Sequence, residues 1–286
     1  MTPDAPDQVP VPANGAGPAT PVAVPATRDA AGRAARAVDA VTIVPVRGLP
    51  EVAAGADVPG LILAALAAQS LALQDGDVLV VASKILSKAE GAVVTTPPKP
   101  GPEALRQAVI TGFPAAEVQV ILDQSTRVVR SAPGVLVAET RHGFVCANAG
   151  VDRSNTAVAG TALTLPGDSD AWAARLRAAL EAAFEPGLAV LVSDTFGRPF
   201  RNGQVNVAVG VSGMRAVRDY RGRTDPAGYR LKGTELAVAD ELCSAAELVM
   251  NKLDRVPVAV IRGYAFDPGA GTVAPLLRDP ALDIFR

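Results

Sequence analysis

Histidine and cysteine are nearly missing from this chain, and each scarcity removes a class of chemistry. His142 is the one histidine among 286 residues. A histidine-rich zinc centre and a Ser-His-Asp triad built elsewhere in the chain are therefore both poorly supported. The two cysteines, Cys146 and Cys243, make no disulfide framework, and a reducing cytoplasm is the simplest setting. His142 and Cys146 stand four residues apart, which reads more readily as a strand pair than as half a metal site. Aromatic residues are 4% of the chain, so the core has to be built from Ala, Val and Leu. A formal charge of -2 offers no electrostatic case for nucleic acid or an anionic membrane as partner. Any anionic ligand must be held by a local cluster. The longest apolar run, Leu61 to Leu73, is interrupted by Gln69 and Ser70 and falls short of the roughly 20 residues of a membrane span. The start of the chain has no basic n-region and does not resemble a signal peptide. The expectation is a soluble, cytoplasmic protein.

What is present is a globular composition, 49% hydrophobic and 20% charged, in a chain long enough for one large domain or two small ones. Residues 1–38, rich in Ala, Pro and Gly, read as a disordered lead-in, with order over 39–286. Val41 to Val46, Val78 to Ala82, Leu188 to Val192 and Val256 to Ile261 read as strands, buried or nearly so. Gln204 to Val211 alternates polar and apolar residues, as a half-buried strand does. Leu61 to Leu73, Pro102 to Thr111, Ala171 to Phe184 and Glu235 to Asn251 read as helices. Val118 to Leu122, Thr126 to Arg130, Val135 to Glu139 and Gly143 to Ala147 are short runs separated by turns, which suggests an antiparallel meander. The fold class is α+β, with mixed and antiparallel sheets and flanking helices.

Three segments, each placed just past a strand as a loop, carry the chemistry. In Ser193 to Gln204 a strand delivers Asp194 and the Thr195 hydroxyl, hard oxygen ligands suited to Mg²⁺ or Mn²⁺. Gly197 and Gly203 let the chain turn there, and Arg198 and Arg201 are candidates to face phosphate or carboxylate. The alternative is a strand end followed by a polar surface turn. Five lysines are present, and two fall in Ser83-Lys84-Ile85-Leu86-Ser87-Lys88. Lysines and hydroxyls past a strand end suit a phosphate, although the glycine-rich loop of a Walker motif is absent; a solvated edge is the alternative. The third segment, Asp152-Arg153-Ser154-Asn155, supplies a second carboxylate. Two carboxylates for cations, with cations for phosphates, suit phosphoryl transfer better than acid/base hydrolysis. A metal-dependent nucleotide hydrolase and a non-catalytic nucleotide-binding subunit remain alternatives.

These segments resemble a known family, the coenzyme F420-0:L-glutamate ligases. The likeness lies in Gly48-Leu49-Pro50-Glu51, in Ser83-Lys84 with Ser87-Lys88, and in Glu139 to Asp152. It continues through Ser193 to Gln204, Val238 to Glu241, Pro257 to Gly263 and the closing Pro275 to Arg286. The resemblance implies addition of L-glutamate to coenzyme F420-0 using GTP and two divalent ions, with the gamma-linked chain open to further extension. It implies Asp152, Asp194 and Thr195 as metal ligands, and Asp152, Asp194 and Lys88 as the catalytic set. It implies GTP contacts at Leu49, Pro50, Glu51, Val52, Ser83, Lys88, Asn155 and the segment Met250, Asn251, Lys252, Leu253, Asp254, Arg255, Val256 and Pro257. It also implies a homodimer. One departure is Lys252, where archaeal members carry a Gln metal ligand. An ammonium cannot coordinate a cation, so either water replaces that ligand or Lys252 meets phosphate directly. Some bacterial relatives continue into a flavin-binding domain, and that second activity is not expected here.

Overall fold

The valine-rich runs assemble into one mixed sheet whose two faces are specified residue by residue. The computed structural model describes residues 40–94, 99–153, 161–184 and 187–284; the expected lead-in, 1–38, lies outside them. In chain order the elements are β1 (Thr42–Val46), α1 (Val58–Ala68), β2 (Val78–Ala82), α2 (Ser83–Glu90), β3 (Val93–Val94), α3 (Pro102–Thr111) and α4 (Ala115–Asp123). Next come β4 (Ser125–Ala132), β5 (Val135–Thr140), β6 (Val145–Ala147), β7 (Ala162–Leu163) and α5 (Ser169–Ala183). The chain continues with β8 (Ala189–Arg198), β9 (Arg201–Ser212), β10 (Arg218–Asp219), β11 (Glu235–Leu236), α6 (Val238–Met250) and β12 (Val258–Arg262). The main sheet runs β1-β12-β2-β8-β9, with β2 and β8 parallel and the other neighbours antiparallel. The fold is α+β.

Strand alternation sorts the core into two layers. Leu79, Val81, Val190, Val192, Val258 and Val260 face α1 and α5, where Ile62, Leu66, Trp172, Leu176 and Leu180 meet them. Val78, Val80, Ala189, Leu191, Ala259 and Ile261 face α6, through Leu242, Cys243 and Ala246. Each fully buried aliphatic side chain contributes roughly 1.5–3 kcal/mol, so one strand stabilises both layers. A third, smaller core joins α3 and α4 to the β4-β5-β6 sheet through Val118, Ile121, Leu136 and Ala138.

Three local expectations change. Val118 to Leu122 is not a meander strand but part of α4. Val118, Ile121 and Leu122 stand at helical spacing, and five residues, four of them apolar, are too few to reveal the period. The meander has three strands, β4, β5 and β6. Ser83 to Lys88 is not a loop but the helix α2. It buries Ile85, Leu86 and Ala89 and stops at Gly91, whose φ of 71° is the left-handed cap that glycine adopts without strain. Asp194 does not lie in a loop either: β8 runs on to Arg198 and pairs with β9 throughout.

Candidate active site

The cleft forms where the sheet runs out. β2 and β8 are paired from Val78 and Ala189 to Ala82 and Ser193, after which the chain of β2 turns away as α2. The end of β8 overhangs, paired with β9 alone. On the neighbouring side, the segment Asn251 to Pro257 enters β12, anchored by the Ala82 N–H donating to the Pro257 carbonyl at 2.8 Å. Such a crevice beyond the carboxyl ends of parallel strands is the usual ligand position in α/β sheets. Its volume is about 580 Å³, in the range of small-molecule sites, roughly 300–1,000 Å³.

Irregular backbone aims the acidic side chains. The ladder slips between Val192 and Ser193, a bulge of the kind that redirects side chains at active sites. Its signature is that Val209 and Val211, two apart on β9, face opposite cores. Gly210 sits at the slip because a Cβ there would stand 2.4 Å from the Ser169 carbonyl oxygen. After β6, Asn148, Ala149 and Gly150 take positive φ in succession (54°, 51° and 70°) and swing the chain back. Asp152 is then held by backbone hydrogen bonds with Leu163 in both directions, 2.9 and 2.7 Å. Left-handed non-glycine residues cost of order 1 kcal/mol or more each and gather at functional sites; Asn251 and Arg255, also on the cleft, are two more.

On the α2 side of the overhang lie Asp194, Asp152 and two lysines. The Lys84 ammonium is 2.6 Å from the Asp152 carboxylate, and Lys88, one turn on along the same face, pairs with Glu51. Burial drives the Asp194 carboxyl up to about 6. The Thr195 N–H, at 2.8 Å from its Oδ1, and the charges of Lys252 and Lys84 pull it down, while the Asp152 charge pushes it up. Burial, with the charge of Asp194, also pushes the neighbouring Cys146 thiol up to about 12, leaving it a protonated and unreactive wall of the cleft. His142 lies in the turn before β6 and rests its Nε2 on the Gly167 carbonyl at 3.2 Å, so it is neither strand partner nor half-site for Cys146.

On the α6 side, neighbouring residues form a closed ring. The Thr195 hydroxyl donates to Asn206 Oδ1 at 2.7 Å, and Asn206 Nδ2 donates to Glu247 Oε2 at 2.9 Å. Glu247 Oε1 is 3.4 Å from the Lys252 ammonium, which in turn donates to Thr195 Oγ1.

The residues singled out in the sequence are largely drawn together. Leu49, Pro50, Glu51, Val52, Ser83, Lys88, Asp152, Asp194, Thr195, Met250, Asn251, Lys252, Arg255, Val256 and Pro257 all line the cleft. Leu253 and Asp254 do not: Leu253 is exposed and Asp254 accepts from Asn251 at 3.2 Å. Arg198 and Arg201 face each other at the end of the β8–β9 hairpin, away from the lining, and Arg198 Nη2 donates to the Asn202 carbonyl at 3.0 Å. Asn155 lies outside the described residues. Asn206 and Glu247, which also line the cleft, were missed. Asn206 looked like the solvent face of an alternating strand, yet it is 4% exposed; a lone amide among valines was the available signal.

The donor set fits a hard divalent cation. Two carboxylates and a hydroxyl are oxygen ligands, and the Asp194 carboxyl, raised first by burial and then by the Asp152 charge, would regain its charged form beside a dication. No group of three or more Asp, Glu, His or Cys side chains converges among the described residues. Water or phosphate oxygens would have to complete the coordination, as is usual for Mg²⁺.

Comparison with known proteins adds a family. The family described as F420-0:Gamma-glutamyl ligase matches residues 48–263. The coenzyme F420:L-glutamate ligase of Methanothermobacter thermautotrophicus is 46% identical over 250 residues, covering 86% of this chain and 99% of that protein. The protein of the same name in Methanocaldococcus jannaschii is 41% identical over 216 residues, 75% of this chain and 86% of that one. In Methanopyrus kandleri the figures are 42% over 234 residues, 80% and 92%.

Proposed function

Because the chain belongs to the F420-0:gamma-glutamyl ligase family, we propose that it joins L-glutamate to coenzyme F420-0 by an amide bond, with GTP as phosphoryl donor and two divalent ions, Mg²⁺ or Mn²⁺, as cofactors. The single observation carrying this reading is the convergence of Leu49 to Val52, the face of α2, Asp152, the end of β8 and the segment after α6 on one cleft. A homodimer, expected from the family, and a cytoplasmic setting, expected from the scarcity of cysteine, belong to the same reading; among the described residues no helix is long and apolar enough to cross a membrane.

In the first step a carboxylate oxygen of F420-0 attacks the γ-phosphorus of GTP. The bond to the β–γ bridging oxygen breaks, giving an acyl phosphate and GDP. In the second, the glutamate amine attacks the acyl carbon, phosphate leaves, and the nitrogen loses a proton to give the amide. The chain's own groups serve phosphate charge. Lys88 gives up Glu51 for a phosphate oxygen, and the first N–H groups of α2, which no side chain caps, face the same anion. Lys252 meets phosphate directly, since an ammonium cannot ligate a cation. Divalent ions held by Asp152, Asp194 and Thr195 would offset the charge spreading over the transferred phosphoryl oxygens, an effect of several kcal/mol. Leu49 to Val52, Met250, Asn251 and Arg255 to Pro257, with Asn155, hold the rest of the nucleotide. The cationic groups Arg198 and Arg201 would need the hairpin end to move before they reached a substrate carboxylate.

Mass spectrometry of products from purified protein, F420-0, L-glutamate, GTP and Mn²⁺ tests the reading. The expected result is a glutamyl adduct with GDP and phosphate in equal amounts, and further glutamates where extension occurs. GDP released at the same rate without F420-0 and glutamate would instead make the protein a nucleotide hydrolase.

A further inference from the structure

The ring on the α6 side has a direction, and one residue sets it. A carboxylate accepts hydrogen bonds and donates none. Glu247 Oε2 therefore requires the amide nitrogen of Asn206 to face it, at 2.9 Å. The other orientation would set Asn206 Oδ1 against a carboxylate oxygen. With the nitrogen committed to Glu247, Asn206 presents Oδ1 to Thr195, and at 2.7 Å that acceptor takes the single hydroxyl proton. The lone pairs of Thr195 Oγ1 are left on the cleft side, and the group that meets them there among the described residues is a cation, the Lys252 ammonium. Asn206 is 4% exposed, and the Ser244 hydroxyl pins its backbone carbonyl at 2.7 Å, so neither amide nor backbone is free to drift.

We infer that Glu247 and Asn206 are positioning residues that turn the Thr195 hydroxyl into an obligate acceptor, a cation-binding oxygen whose proton is held away from the cleft. Glu247 acts through Asn206 and needs no contact with the cation. This rests on the proposed role of Thr195 toward a divalent ion. Partners of this outer kind set the orientation of a ligand, and their loss typically costs 10- to 100-fold in metal affinity.

The test is Mn²⁺ binding to the full chain without nucleotide, read by electron paramagnetic resonance, with thermal unfolding measured on every variant. Glu247→Gln keeps size and removes the charge that orients Asn206. It is expected to weaken Mn²⁺ binding about 10- to 100-fold with an unchanged unfolding profile. Adding Asn206→Asp to Glu247→Gln rebuilds the direction with the partners exchanged: the new amide donates to the new carboxylate, which again must accept from Thr195. That double variant is expected to recover near wild-type affinity, which a purely structural role would not give. Wild-type affinity in Glu247→Gln, or a double variant as weak as the single one, would overturn the relay. A wild-type protein that binds no Mn²⁺ either without nucleotide or with GDP present would instead remove the metal reading on which it rests.

Discussion

The two sides of the β8 overhang carry the same kinds of groups and solve opposite problems. Toward α6, Thr195, Asn206, Glu247 and Lys252 satisfy one another in a closed ring. Toward α2, Asp194 is half-buried near Asp152, and desolvation first, with the Asp152 charge, pushes its carboxyl up to about 6. Adjacent residues of one strand thus face a settled network and a frustrated one. The settled side fixes geometry, whereas the frustrated side stores electrostatic strain that a dication or a proton can release. The difference teaches where the fold gives up stability to keep a binding site.

The largest effect should come from removing the frustrated charge. Asp194→Asn is expected to abolish ligation while stabilising the protein in the presence of a chelator. The Asp194 carboxyl is raised from 3.8 to about 6, so the native chain holds its proton more tightly than the unfolded chain does. The stability this confers is complete below about pH 4 and lost as pH rises through about 6. At pH 7.5 the variant should be more stable than the wild type by about 2–3 kcal/mol, with each tenfold change in acidity worth about 1.36 kcal/mol. The gain should vanish near pH 4. Denaturant unfolding at the two pH values measures it; equal stabilities at pH 7.5 would mean that Asp194 is not strained.

A smaller effect sharpens the same contrast. The Lys84 charge pulls the Asp194 carboxyl down, so Lys84→Met should move the pH dependence of stability to higher pH. The lost pair with Asp152, partly exposed on both sides, should cost only about 0.5–1 kcal/mol. A pH dependence that stayed in place would separate Lys84 from Asp194.

The settled and frustrated sides were not equally legible in the chain. Asp194 and Thr195 stood out because a polar pair ends a run of valines. Ser83 to Lys88 stood out because lysines are rare. Their secondary structure did not follow, since Ser-Lys-Ile-Leu-Ser-Lys has no period long enough to separate helix from loop, and the bulge before Asp194 leaves no mark except Gly210. The apolar strands were readable because alternation and burial coincide, as in Val78 to Val81. The Asn206–Glu247 link was invisible because it joins residues 41 positions apart, one on a strand and one on a helix whose apolar face drew the attention. Arg198 and Arg201 show the converse: charge near a site in sequence need not line the cleft when a hairpin carries both residues to its end.

Catalysis as proposed requires Asp152 and Asp194 to hold a divalent cation together. Mn²⁺ titration in the presence of GDP, on the wild type, Asp152→Asn and Asp194→Asn, tests that most directly. Each substitution is predicted to weaken binding at least about 10-fold, a loss on the order of 1.4 kcal/mol or more. Wild-type affinity in either variant would contradict a shared site.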